Sequence, residues 1–335
     1  MSAPLRIGIV GATGLLGREV IEVLEAERFP VLELRAFAGD RSLGEDVEFQ
    51  GDVVPVRVDD DDWTGLDVVV LCTPAAAALD LVRAALHAEV PCIDCSGALV
   101  GSAEVPLAIA DLGARDDLAA APLISAAPGP ALVWAPVLAA LQREAGLRRV
   151  TGSVLHSASS AGRAGVAALS EQTLALLNQR EWHGVDVPAG PRAFDCHAHA
   201  VHDDEDKERA APIEAQLVAI LRRLLGPDVA IAVTSVHVPT FAGQGVTLSV
   251  ETERPLGPER AAEVLAAAPG VEVWGEGEGP STRDSVGRGE VIVGRLRTDP
   301  TAPPGHGVLL WLVGDPVRLA AANVVKLLRA RFAGA

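Results

Sequence analysis

Residues 5–17 read LRIGIVGATGLLG, an apolar run followed by three glycines at three-residue spacing, and the amphipathic stretch REVIEVLEAE comes directly after. The apolar run predicts a buried strand and the periodic stretch a helix. A chain that turns from strand to helix over Gly11, Gly14 and Gly17 has few folds open to it. Glycine permits positive φ and the close backbone approach that a pyrophosphate requires, and a helix start supplies oriented N–H groups. The spacing predicts a dinucleotide turn; a structural turn without a ligand is the competing reading.

Further apolar runs at Val31 to Ala38, Val68 to Cys72, Val90 to Asp94 and Leu123 to Ala126 are separated in part by helical stretches such as ALDLVRAALHAE. Strands alternating with helices predict an α/β fold that opens with a doubly wound parallel sheet, an N-terminal NAD(P)-binding Rossmann domain. The second half differs. Strand-like runs at Arg149 to His156, Val229 to Val238, Gly245 to Thr252, Val271 to Trp274, Glu290 to Arg297 and Gly307 to Val313 accompany two long amphipathic helices. They predict an α+β domain on a mixed sheet with one face free to cover something. The expected division is 1–130, completed by a C-terminal helix over 316–335, and 131–315. The stretch ISAAPGPALV at 124–133 reads as a strand end and a proline-rich turn.

A formal charge of −17 argues against a nucleic-acid or anionic-membrane surface, both of which need basic patches. No apolar stretch has the length to span a bilayer, and residues 1–10 lack a leader pattern, so a cytoplasmic protein is expected. Four cysteines in 335 residues argue against a disulfide framework. After the second strand, AFAGDRSLG offers Arg41 and Ser42 where an NAD reader places an acidic residue. That choice suits the 2′-phosphate of NADP, and an Asp40–Arg41 pair in a solvated loop is the alternative.

With these residues in hand, the chain resembles the aspartate-semialdehyde dehydrogenase family over nearly its full length. The dispersed motifs are GATGLLG, RSLG, IDCSGAL at 93–99, SSAGRAGVAALSEQT at 159–173, PTFAGQGVTLSVET at 239–252, PSTRDSVG at 280–287, VIVGRLRTD at 291–299 and LLWLVGDPVRLAAANVVKLL at 309–328. The resemblance implies a second domain for dimerisation and the active site, hence a homodimer. It also implies NADP contacts at Gly11, Thr13, Gly14, Leu15, Arg41, Ser42, Gly162 and Asn323. Family chemistry runs through a cysteine thioester, a proton-shuttling histidine and cationic side chains that hold the substrate's carboxylate and phosphate.

Those are the positions where the sequence departs. The N-P-N-C-type turn of the family falls on A-P-G-P-A, which places Pro130 at the nucleophile, and AGQG places Gln244 at the base. The two substrate arginines fall on Val100 and His237, the glutamine near the nucleophile on His156, and the glutamate on Glu214. Leu217 stands where the family has a phosphate-binding lysine. Groups that act as a unit fail together. The pattern is that of the catalytically degenerate, Usg-like branch. Three readings follow: a non-catalytic NADP-binding homologue, an active NADP-dependent dehydrogenase or acyl-phosphate reductase on a less anionic substrate, or a structural dimer without cofactor.

Other constellations carry weaker expectations. Cys92 and Cys95 form a CxxC at a strand end, read as ordinary buried thiols, with Cys95 the candidate for a surrogate nucleophile. The run CHAHAVHDDED gathers Cys196, His197, His199 and His202. Without a spaced second pair it reads as a solvated segment at a subunit interface, and no metal site is expected. Ser157, Ser159 and Ser160 beside His156 read as cofactor contacts rather than a hydrolase pair, because no orienting carboxylate is evident.

Overall fold

The computed structural model of the chain describes residues 3–58, 62–113, 116–184, 187, 190, 192–198, 213–275 and 279–332. Two compact units emerge, Met1–Pro128 with Ala320–Ala335, and Gly129–Leu319.

In the first unit, β1 (Leu5–Val10), α1 (Leu15–Ala26), β2 (Val31–Ala38), β3 (Asp46–Phe49), β4 (Asp52–Val58), β5 (Val68–Leu71), α2 (Ala75–His87), β6 (Cys92–Asp94), β7 (Leu107–Ala108), α3 (Asp116–Ala120) and β8 (Leu123–Ala126) follow in order. The eight-stranded sheet runs β3-β4-β2-β1-β5-β6-β8-β7, parallel except at the β3–β4 pair. Strand alternation sends Ile7, Val68, Val70, Ile93 and Ile124 into one core and Val69, Leu71 and Cys92 into another, so the sheet is buried on both faces. Val20 and Leu24 of α1 join the first core, and Val82 and Ala85 of α2 the second. This is the doubly wound layering expected from the alternating strands and helices.

The second unit contains α4 (Gly129–Ala145), β9 (Leu147–His156), α5 (Gly162–Leu177), β10 (His197–Ala198), α6 (Ile213–Leu225), β11 (Ala230–His237), β12 (Gln244–Thr252), α7 (Pro258–Ala266), β13 (Val271–Val273), β14 (Val291–Thr298) and β15 (Gly307–Gly314). Helix α8 (Pro316–Phe332) starts in this unit and ends in the first, where Val324, Val325 and Leu328 enter the α1-side core. Burying one such aliphatic side chain contributes roughly 1.5–3 kcal/mol.

The second sheet runs β10-β11-β9-β12-β15-β14-β13 and is mixed, with β9–β11 and β13–β14 parallel. Helix α4 packs between α6 and α7 and against β12 and β15. The residues facing it include Val150, Val154, Val246, Val250 and Leu312, all fully buried. The opposite face exposes Thr151, Ser153, Thr247, Ser249 and Trp311 around a depression of about 730 Å³.

The proline-rich stretch is not a turn. Gly129 and Pro130 open the 17-residue helix α4. Proline fits the first turn because its missing N–H has no partner to lose there. A second proline, Pro136, lies inside the helix, an arrangement that costs about 3 kcal/mol. The near-complete burial of Leu132, Val133, Trp134, Val137 and Leu138 offsets it.

Candidate functional site

In the first unit, Gly11 adopts φ +82°, and a Cβ on it would lie 2.5 Å from the Cys72 carbonyl oxygen. Gly17 is equally constrained, since its Cβ would meet the Gly11 oxygen at 2.2 Å. Gly14 caps α1 in an extended conformation, Leu15 begins the helix, and the first turn carries no acidic side chain. The turn therefore offers the open helix start and bare backbone that an anionic dinucleotide needs.

Thr13 and Ser42 share a buried hydroxyl–hydroxyl hydrogen bond of 2.8 Å, which ties this turn to the short helical turn Asp40–Ser42 after β2. Arg41 in that turn is exposed. Asn323 is hydrogen-bonded at both ends of its carboxamide. Its Oδ1 accepts the Ala110 N–H at 2.8 Å and its Nδ2 donates to the Ala108 carbonyl at 3.3 Å, so it braces the segment after β7.

Val100 is buried at the turn that follows β6. Asp94 at the end of β6 is wholly buried, and its Oδ1 accepts the Ser96 N–H at 3.0 Å. Burial pushes its carboxyl above the usual range, against the pull of the Ser96 hydrogen bonds. Cys95 does not pair with Cys92. Its thiol hydrogen-bonds to Cys72, and that bond together with burial raises it well above the usual thiol range. Cys92 is raised by burial, with Asp94 adding to the effect. A thiol held protonated is a poor nucleophile.

Strand register assembles the second unit's candidates into a row. His197 pairs with His237, His237 with His156, and Gln244 with Gly314. The β9–β12 ladder ends at Gly245–Leu155, one residue short of bringing Gln244 level with His156. In-register partners project to the same face, here the face covered by the helices. The His156 and His237 ring centroids lie 5.5 Å apart, and those of His237 and His197 lie 5.3 Å apart.

His156 Nε2 is 3.3 Å from the Ser235 hydroxyl, and the Ser235 N–H donates to Glu214 Oε1 at 3.1 Å. Leu217, on the same helix, is buried. Gln244 is 1% exposed; its Nε2 donates to the Pro130 carbonyl at 3.4 Å, while its Oε1 is buried without a partner. Gly129 beside it admits no side chain, because a Cβ would lie 2.2 Å from the Pro316 oxygen.

Chemically, this row offers imidazoles and one carboxamide but no thiol. Sequence spacing missed the row because its members come from four strands far apart in the chain. The structure also separates what proximity in sequence joined. Ser157 bonds to Ser159, and Ser160 to the Ser157 carbonyl, while His156 turns to Ser235. Gly162 lies in the second unit, where it opens α5 with φ +70°. His199 and His202 lie outside the described residues, and among the described residues no cluster of His, Cys, Asp and Glu is placed to hold a metal ion. No helix among them is long and apolar enough to cross a membrane.

Residues 6–121 match the family model "Semialdehyde dehydrogenase, NAD binding domain", and residues 138–319 match "Semialdehyde dehydrogenase, dimerisation domain". The chain is 32% identical to an aspartate-semialdehyde dehydrogenase of Mycolicibacterium smegmatis, over 96% of this chain and 97% of that one. It is also 32% identical to a USG-1 protein homolog of Pseudomonas aeruginosa, covering 98% and 97%. The structure of aspartate semialdehyde dehydrogenase II complexed with ASA from Vibrio cholerae superposes with a TM-score of 0.89 at 27% identity, covering 98% of both chains.

Proposed function

The chain belongs to the aspartate-semialdehyde dehydrogenase family, and from that premise we propose that it is a non-catalytic member that binds NADP and forms a homodimer. One observation carries the reading. Where the family resemblance expects a thiol nucleophile and an imidazole base, Pro130 and Gln244 face each other across a single hydrogen bond. Proline has no atom that can form a thioester, and a carboxamide does not exchange protons near neutral pH. Val100, His237 and Leu217 stand in place of the expected cationic clamp and His156 in place of the glutamine, while Glu214 keeps the expected glutamate.

The NADP assignment is supported by the Gly11 turn, by the acid-free start of α1 and by the exposed Arg41 guanidinium beside Ser42. The homodimer is supported by the match to a dimerisation domain and by the uncovered face of the second sheet. Calorimetric titration of NADP(H) and an aspartate-semialdehyde turnover assay on one preparation test the reading: heat without turnover is expected. Absence of heat would leave only a structural dimer.

A second reading is favoured by the buried His156–His237 pair, which supplies alternative proton-carrying groups next to Gln244. It makes the chain an active NADP-dependent reductase of a less anionic substrate. That reading still lacks a nucleophile, because Cys95 is committed to Cys72 and held protonated.

A further inference from the structure

Cys72 and Cys95 are far apart in sequence, yet the sheet makes them neighbours. The parallel ladder of β5 and β6 pairs Leu71 with Asp94, and the Cys95 N–H donates to the Leu71 carbonyl at 3.0 Å. The ladder thereby carries on by one residue and sets Cys95 beside Cys72. Neighbouring strands lie about 4.7–4.9 Å apart, inside the Cα span of about 4.4–6.8 Å that a disulfide tolerates. Alternation settles which thiols meet. Cys92 points into the α2-side core, whereas Cys72 and Cys95 both pack against the α1-side core and touch through their thiols. Cys92 is buried, but Cys72 and Cys95 are both partly open to solvent.

We propose that Cys72 and Cys95 form a reversible dithiol–disulfide site, closed by a low-molecular-weight disulfide such as oxidised glutathione. Either sulfur can open the exchange, and Cys72 is taken as the attacking one. Its thiolate breaks the S–S bond of the reagent, and one thiolate leaves and takes up a proton. With Cys72 capped, its hydrogen bond and charge no longer hold the Cys95 proton; Cys95 loses it to solvent and attacks the Cys72 sulfur, releasing the second reagent thiolate, which takes up a proton. The two protein thiols are oxidised by two electrons and the reagent disulfide is reduced to two thiols. The site adjoins the glycine turn, since the Cys72 N–H donates to the Val10 carbonyl at 2.8 Å and its own carbonyl packs against Gly11.

The test is incubation of the purified chain with oxidised glutathione at mildly alkaline pH. Free thiols are then counted in denaturant and the disulfide is located by peptide mapping. Apart from any glutathione taken up by the exposed Cys196, the count is expected to fall by two, with a Cys72–Cys95 link that dithiothreitol reverses. Cys72→Ser and Cys95→Ser should each abolish the link, and Cys92→Ser should leave it intact. Retention of all four thiols, a stable glutathione adduct on either cysteine, or a link through Cys92 or Cys196 would overturn the proposal. The thiol count does not depend on nucleotide. An NADP(H) titration of the reduced chain therefore separates failure of this site from failure of the NADP reading.

Discussion

Gln244 reaches from the start of β12 to the first turn of α4 and hydrogen-bonds the main-chain carbonyl of Pro130 at 3.4 Å. The pair is a structural tie in the place where the family resemblance puts a reaction centre. It follows that neither Gln244→His nor Pro130→Cys alone should raise aspartate-semialdehyde turnover above background, because each restores one half of a unit. A steady-state assay of both single variants checks this. Turnover in Gln244→His would show that the chain holds another nucleophile.

The nucleotide turn gives a sharper quantitative expectation. Arg41→Ala should weaken NADP binding about tenfold, the loss of one charge-assisted contact of roughly 1.4 kcal/mol, and change NAD binding less than about twofold. Gly11→Ala should do more. It places a Cβ 2.5 Å from the Cys72 oxygen at φ +82°, so both nucleotide affinity and the thermal midpoint should fall. Calorimetry and thermal unfolding measure the two effects.

Two buried carboxylates should give opposite pH dependences. Asp94 has a native pKa raised by burial, so its stabilising contribution is present below the unfolded value near 3.8 and declines as pH rises through the native value. Asp299 is lowered by hydrogen bonds from Ser249 and Thr301, so its contribution is present above that unfolded value and is lost as pH falls through the native one. Denaturant unfolding across pH should therefore show Asp94→Asn gaining on the parent chain as pH rises from about 4. Asp299→Asn should lose least, relative to the parent, in acid.

The uncovered sheet face gives a further prediction. Thr247 is exposed at the centre of β12, and a homodimer closing over this face would bring two copies of it into a dry interface. Thr247→Glu should shift the sedimentation coefficient from dimer to monomer and leave NADP affinity unchanged. An unshifted dimer would place the interface elsewhere.

Where one stretch of chain carries its own signal, sequence and structure agree. The β1–glycine–α1 unit is such a case, because the periodicity and the turn residues are contiguous. The β3–β4 hairpin was less legible, since Pro55 inside β4 argues against a strand and the turn at Gln50 and Gly51 relies on positive φ at both residues. Helix α4 is hidden by Pro130, which reads as a turn, and by Pro136, whose cost is offset by burial that the sequence does not display. The CxxC spacing shows Cys92 and Cys95 together but not the partner that register gives Cys95. Strand alternation turns Cys92 and Cys95 to opposite faces, and register supplies Cys72 instead. The histidine row depends on pairing between four separate strands, so no local pattern could announce it.

We propose that nucleotide binding survives in a chain that carries the Pro130–Gln244 tie where its family resemblance places the reaction centre. The most direct test is NADP(H) calorimetry and phosphate-dependent aspartate-semialdehyde turnover on the same homogeneous, metal-free preparation. Saturable binding heat with turnover at background is expected. Robust NADP- and phosphate-dependent turnover by that preparation would contradict it.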